Sequence, residues 1–286
     1  MDRIAPWLQT NWDHRAAGNF IGGGTGSGLA VFAAASTLAT GVAEPYAFAA
    51  AAFFIAVGLC LVWLEIGRPW RFLHVFFNPQ TSWMTREALV APPLLLALAA
   101  AAWPDGTALA LVTLPLAAAF VYCQARMLLA SRGIPAWRAA RIVPLILATA
   151  LAEGAGAFLV LAPPAGTVML IPALVAIAAR FVAWTAYARQ LAWSGAPVAA
   201  LKALHAIDWP VFVLGTTAPA ALIVAALSFA SLAGPLALAA GVLAVAAGWL
   251  IKAVIVTRAA FNQGFALPHL PRLGAGRDTG ARPGWS

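Results

Sequence analysis

A chain of 286 residues that is 63% hydrophobic and only 9% charged lies far outside the globular mix, in which about a quarter of residues carry charge. That composition excludes a water-soluble domain and predicts an all-α polytopic membrane protein. The net charge of +8 and pI near 10.7 would suit nucleic acid, but the arginines are scattered between apolar runs without a basic domain or motif, so nucleic acid is not expected as a partner.

In chain order the sequence predicts eight transmembrane helices, over about 16–39, 46–65, 84–103, 107–128, 141–162, 168–190, 209–233 and 236–257. Charge-free runs such as Tyr46–Leu64 and Thr107–Ala125 approach the roughly 20 residues needed to cross a bilayer, and they lack the polar stripe of a soluble helix. The polar, tryptophan-bearing start and glycine-rich first span do not resemble a cleavable signal peptide. That span holds "GGGTGSG", Gly22–Gly28. With no strand before it and no lysine after it, the run predicts close helix packing through Gly22/Gly26 and Gly24/Gly28, not a phosphate loop.

The segments "GVAEP", "PDG", "APPAGT" and "AGP" predict short turns, and 66–83, 129–140 and 191–208 longer connections. From Phe261 the tail is rich in Gly, Pro and Arg without apolar periodicity, which predicts a surface strap or disorder. The chain therefore divides into a bundle over 1–258 and a basic tail over 259–286. Cys60 and Cys123 stand singly inside predicted spans, without the companions that a disulfide framework, a zinc site or a cysteine-ligated cluster needs.

Sixteen of the seventeen Lys and Arg fall on one side, with two before or at the first span, three in 65–87, four in 126–141, two in 189–208 and five from Lys252 onward, whereas the short turns carry only Glu44 and Asp105. The positive-inside rule then puts both termini and all long loops on the cytoplasmic side, as in a bacterial inner membrane. Trp63, Trp70, Trp83, Trp137, Trp193 and Trp209 mark the same interface.

The seventeenth cation, Arg180, falls in mid-span, as does Glu153. Charges at membrane depth face a bundle interior or a wet cavity and are functional candidates. Their depths in the fifth and sixth helices differ by only ~3 Å at about 1.5 Å per residue, so a Glu153–Arg180 ion pair is expected. It would act either as a clip between helices or as part of a proton path, with Tyr187 and Gln190 as further acceptors. The second reading would make the protein a secondary transporter or proton conductor.

A second polar group gathers near the cytoplasmic helix ends: Asn19, Glu65, Glu87, Tyr122, Gln124 and Asp208. Each could be an interfacial cap, but Glu65 and Glu87 bracket one loop, and a group converging from several helices can bind the polar head of a lipid-soluble ligand. His14, His74, His205 and His269 lie in loops or at span edges, so no haem is expected within the spans.

The stretch "EIGRPWRFLHVFFNPQTSWMTREAL" resembles the DmsC/NrfD group, the quinone-reactive membrane anchors of molybdopterin oxidoreductases, and "SRGIPAWRAARIVPL" carries a weaker likeness. The resemblance implies an eight-helix anchor that passes electrons between quinone (menaquinone or ubiquinone) and a four-cluster ferredoxin-like iron–sulfur subunit, itself bound to a molybdopterin catalytic subunit. The chain would hold no haem or iron–sulfur cluster of its own. On this resemblance the quinol-site glutamate falls on Glu87 and Glu65 is a second acid or base; Asn19, Arg68, Trp83, Tyr122 and Asp208 are the expected quinone contacts, and Arg180 and Asp208 fall near an intramembrane polar path. Glu65 is closer to the acidic residue of the NrfD and polysulfide reductase branch than to the histidine of the dimethyl sulfoxide reductase branch. "NWDHRAAGNFIGGGTGSGL" together with the first stretch is most similar to anchors of phenylacetyl-CoA:acceptor oxidoreductases, and a cytoplasmic basic face would also fit sulfite oxidation inside the cell.

Overall fold

The computed structural model describes residues 2–65, 69–103, 106–267 and 282–283. Its long helices are α1 (His14–Thr40), α2 (Pro45–Glu65), α3 (Trp83–Ala101), α4 (Ala110–Ala130), α5 (Ile142–Leu161), α6 (Pro163–Trp193), α7 (Asp208–Ser228) and α8 (Ala230–Arg258). Among them α2 to α8 are seven helices long and apolar enough to cross a membrane. The helices form two antiparallel four-helix groups. In the first, α1 packs on α2, α2 on α3, α3 on α4 and α4 on α1; in the second, α5, α6, α7 and α8 close a similar ring. The two groups meet where α1 lies against α5 and α8.

That central position explains why α1 is less apolar than its neighbours. Its face toward the bundle carries Asn19, Thr25, Ser27, Ser36 and Thr37, all buried, and its glycines let other helices approach. Gly22 and Gly26 meet the α2 backbone at Phe54, Gly58 and Ala51, whereas Gly24 and Gly28 face Lys252, Ala150 and Gly154 of α8 and α5. The glycine run is therefore a two-sided packing surface, as its spacing predicts.

Both chain ends lie together. Leu8 bridges Phe261, the Trp7 N–H donates to Asn262 Oδ1 at 2.9 Å, and Asp2–Ile4 pairs antiparallel with Phe265–Leu267. The first part of the tail is thus strapped onto the N-terminal segment. At the start of α1 the Asp13 side chain accepts from the Arg15 N–H at 2.7 Å and pairs with the Arg15 guanidinium. That guanidinium holds the Asp13 carboxyl below the usual carboxylate range. Its contribution to stability is present at neutral pH and fades as pH falls through the folded-state value.

Two joints differ from the sequence reading. The turn before α8 is at Phe229, with Ala230–Leu232 in a 3-10 turn, so Gly234 and Pro235 lie inside α8 instead of ending α7. A proline in the first turn of a helix loses no intrahelical hydrogen bond, because the first four N–H groups have no partner there. The same reason lets α6 begin at Pro163, leaving Ala162 as the joint with α5. The long connections also carry structure: a 3-10 segment over Pro69–Phe77 and short helices over Pro135–Arg138 and Val198–His205.

Two π-helical turns, Val213–Thr217 in α7 and Val254–Arg258 in α8, have no signal in the apolar pattern. Such turns leave backbone carbonyls for other donors. In α8 the Ile255 carbonyl accepts the Trp137 indole N–H at 2.8 Å and the Val256 carbonyl accepts Gln9 Nε2 at 3.3 Å. Trp12 stacks on Trp137 with ring centroids 4.8 Å apart, which closes this end over α8.

Candidate functional site

Three helices of the first group bring polar side chains together one to two turns inside one end of the bundle. Glu87 of α3 is buried, and Gln124 of α4 donates from Nε2 to Glu87 Oε1 at 2.9 Å and to the Asn19 carbonyl oxygen of α1 at 3.1 Å. The Asn19 side chain adjoins the same carboxylate. Gln124 reaches this position because residue 23 is glycine: a Cβ there would overlap the Gln124 amide. Two acceptors beside the carboxylate, Asn19 Oδ1 and Gln124 Oε1, are buried without a hydrogen-bond partner. Buried polar atoms are nearly always satisfied, so these two oxygens remain acceptors for a further hydrogen-bond donor.

Beside them Trp83, one turn before Glu87, and Tyr122 of α4 meet edge to face at 5.7 Å. The Arg86 and Arg126 guanidiniums lie over the Trp83 ring at 4.1 and 4.6 Å, and Arg126 Nη1 donates to the Tyr122 hydroxyl at 3.0 Å. Asn19 of α1, Glu87 and Trp83 of α3 and Tyr122 of α4 thus belong to one neighbourhood.

The other expected members have different neighbours. Glu65, at the end of α2, faces Asp13 and Arg15, and its Oε1 is buried without a partner. Asp208 accepts the Trp184 indole N–H at 3.0 Å and pairs with His205 at 2.8 Å in the second helix group. Neither shares a hydrogen-bonding partner with Glu87. Arg68, Asp105 and His269 lie outside the described residues.

The mid-membrane charges are paired differently from the sequence expectation. Glu153 of α5 binds Lys252 of α8 through Oε2 at 2.6 Å, and both side chains are fully buried. The Thr25 hydroxyl donates to the same oxygen at 2.8 Å and accepts the Trp249 indole N–H at 2.9 Å. Arg180 instead donates to two backbone carbonyls, Ala244 of α8 at 2.6 Å and Gly215 inside the π-helical turn of α7. The expected Glu153–Arg180 pair is therefore replaced by Glu153–Lys252, and Lys252 is an interior charge, not part of the cytoplasmic basic face. Depth alone could not separate the two cations; packing does, because Gly24 and Gly248 leave room for the Lys252 ammonium and the Glu153 carboxylate where any side chain would overlap them.

Lys252, Thr25, Trp249 and Arg126 are the residues that sequence reasoning did not assign to these clusters. The available signal for Lys252 was its place in the otherwise apolar run Leu250–Val256, inside the predicted eighth span. Among the described residues no three of His, Cys, Asp and Glu gather as a metal-binding group. Compared with known proteins, the chain matches no family model and no curated protein.

Proposed function

We propose that the chain is the membrane anchor of a molybdopterin and iron–sulfur oxidoreductase complex, where it binds quinone or quinol and links the quinone pool to the iron–sulfur subunit. The observation that carries this reading is the buried Glu87 carboxylate with the orphaned Asn19 and Gln124 oxygens beside it, near one end of the bundle. A quinone bound there would supply two-electron, two-proton redox chemistry.

In this reading Glu87 accepts or returns the proton of a ligand hydroxyl, because acid–base work needs a carboxyl within hydrogen-bond reach. Gln124 fixes the carboxylate orientation, Asn19 Oδ1 and Gln124 Oε1 accept hydrogen bonds, and Trp83 and Tyr122 are further quinone contacts. Glu65, beside Asp13 and Arg15, and Asp208, beside His205, stand nearer water and are secondary acid–base groups. Eight spans and cytoplasmic termini, in a bacterial inner membrane, complete the proposal. Support comes from the 27-residue length of α1, from the pairing of the two chain ends, and from the arginines of the long connections. Those arginines would face the iron–sulfur partner. The transporter reading invoked a Glu153–Arg180 pair; Glu153 instead hydrogen-bonds Lys252, with Arg180 near enough for its charge to act on both.

The test is quinol oxidation or quinone reduction by the purified complex. Glu87→Gln is expected to lower turnover at least about tenfold, given the usual size of acid–base effects, while Glu44→Gln at the opposite end leaves it unchanged. Gly23→Ala, which displaces Gln124, should lower turnover with little loss of stability, since a flexible side chain can yield. Unchanged turnover and unchanged quinone affinity in Glu87→Gln would remove the site.

A further inference from the structure

The Arg86–Trp83–Arg126 cluster has a feature that the quinone reading leaves unused: two cations share one aromatic ring, and among the described residues neither is in an ion pair. Each guanidinium carbon is within 4.6 Å of the Trp83 centroid. Among the described residues the ion pairs are Arg15–Asp13, His205–Asp208 and Lys252–Glu153, and none involves Arg86 or Arg126. Arg86 is held in place by the carbonyls of Pro79 and Gln80, at 2.7 and 2.8 Å. Arg126 is held by Tyr122, and its Nε–H is buried without an acceptor. The two cations are thus fixed side by side with donor groups to spare. An anion is the missing counterpart, and a guanidinium fork matches phosphate oxygens in particular.

The level of the cluster and the surface beside it identify the anion. α3 has 19 residues, about 28 Å at 1.5 Å per residue, which barely spans a hydrocarbon core of about 30 Å. Its first turn, with Trp83 and Arg86, must then lie among headgroups. From Arg86 the exposed residues Leu89, Pro93 and Leu96 follow at helical spacing down one face of α3. From Arg126 the exposed Tyr122, Ala118, Pro115 and Leu111 do the same on α4, which packs against α3. Two cations thus cap two adjacent apolar stripes that run into the membrane.

We infer that this α3–α4 face is a binding site for an anionic phospholipid. The phosphodiester would sit on Arg86 and Arg126, and the acyl chains would lie along the two stripes. An acidic protein partner would meet the same charges but would leave the stripes without a role, and a neutral quinone would leave the cations without a counterion. The inference stands apart from the redox reading, because it needs only that this end of the bundle lies at the membrane interface.

Native mass spectrometry of the detergent-purified full chain tests it, with phosphatidylglycerol and phosphatidylcholine of identical acyl chains offered in equal amounts. Wild type is expected to retain phosphatidylglycerol preferentially. Arg86→Gln with Arg126→Gln should cut that preference by at least about fivefold, the scale expected for losing interfacial cations. Arg132→Gln with Arg189→Gln, the same charge change at exposed positions elsewhere, should leave it intact. Should the first pair fail to fold, Arg86→Lys with Arg126→Lys keeps the charge, loses the planar fork, and is expected to lower the preference partially. Equal retention of the two lipids by wild type, an equal loss in the Arg132/Arg189 pair, or displacement of the lipid by excess inorganic phosphate would each overturn the proposal.

Discussion

Lys252→Met should destabilise the protein by about 3–5 kcal/mol, the cost typical of stranding one member of a buried ion pair. The Lys252 ammonium and the Glu153 carboxylate are both fully buried and meet at 2.6 Å. Without the lysine, the carboxylate keeps only the Thr25 hydroxyl as a hydrogen-bond partner, with Arg180 as its one neighbouring cation among the described residues, because Glu153 Oε1 has no partner even in the intact protein. Pairing it with Glu153→Gln removes the stranded charge and should recover most of the loss, since replacing both members of a buried pair with neutral groups is often nearly neutral. Arg180→Met should also destabilise, for a different reason: the carbonyls of Gly215 and Ala244 lose a charged donor. A double-mutant cycle in detergent, read by thermal or chemical unfolding, separates the cases. The coupling for Glu153 with Lys252 should exceed that for Glu153 with Arg180 by at least about 1 kcal/mol, in the range measured for residues in contact. The reverse order would return the pairing to Arg180.

This pair also shows where sequence reading stops. Depth along a helix follows from counting residues, which is why Glu153 and Arg180 could be set at one level and why most helix boundaries fall close to the observed ones. Direction around the helix axis depends on which neighbours can approach, and here small residues on α1 and α8 decide it. The same division holds at the candidate site. The convergence of Asn19, Glu87, Tyr122 and Trp83 was legible because all four lie within two turns of the same end of the bundle. That Gln124 joins Glu87 to α1 depends on the absent side chain at Gly23, and that Glu65 and Asp208 turn to other partners depends on Asp13, Trp184 and His205. The misplaced α7–α8 joint has a local cause. Gly234 and Pro235 are turn residues by type, yet within the first turn of a helix neither disrupts the hydrogen-bond ladder.

Gly154→Ala should cost about 3 kcal/mol, the upper part of the usual range for overpacking, although it adds one methyl group. A Cβ at this position would overlap the Gly28 backbone and come against the amide nitrogen of Leu29. Both obstacles are main chain, so no rotamer change relieves them, and α1 must move away from α5. That shift acts on the neighbouring polar contacts, because Thr25 of α1 and Glu153, the residue preceding Gly154, are hydrogen-bonded at 2.8 Å. Two other glycines give the comparison. Gly41 has open space around it but a backbone φ of 73°, so alanine there carries only the left-handed penalty of about 1–2 kcal/mol. Gly133 has open space and no such dihedral, and alanine should be neutral or stabilising by up to about 1 kcal/mol through the unfolded chain. Unfolding midpoints of the three variants should therefore rank Gly133→Ala highest and Gly154→Ala lowest. A Gly154→Ala variant as stable as Gly133→Ala would mean that α1 and α5 are not in backbone contact, and the seat of the Glu153–Lys252 pair between them would have to be redrawn.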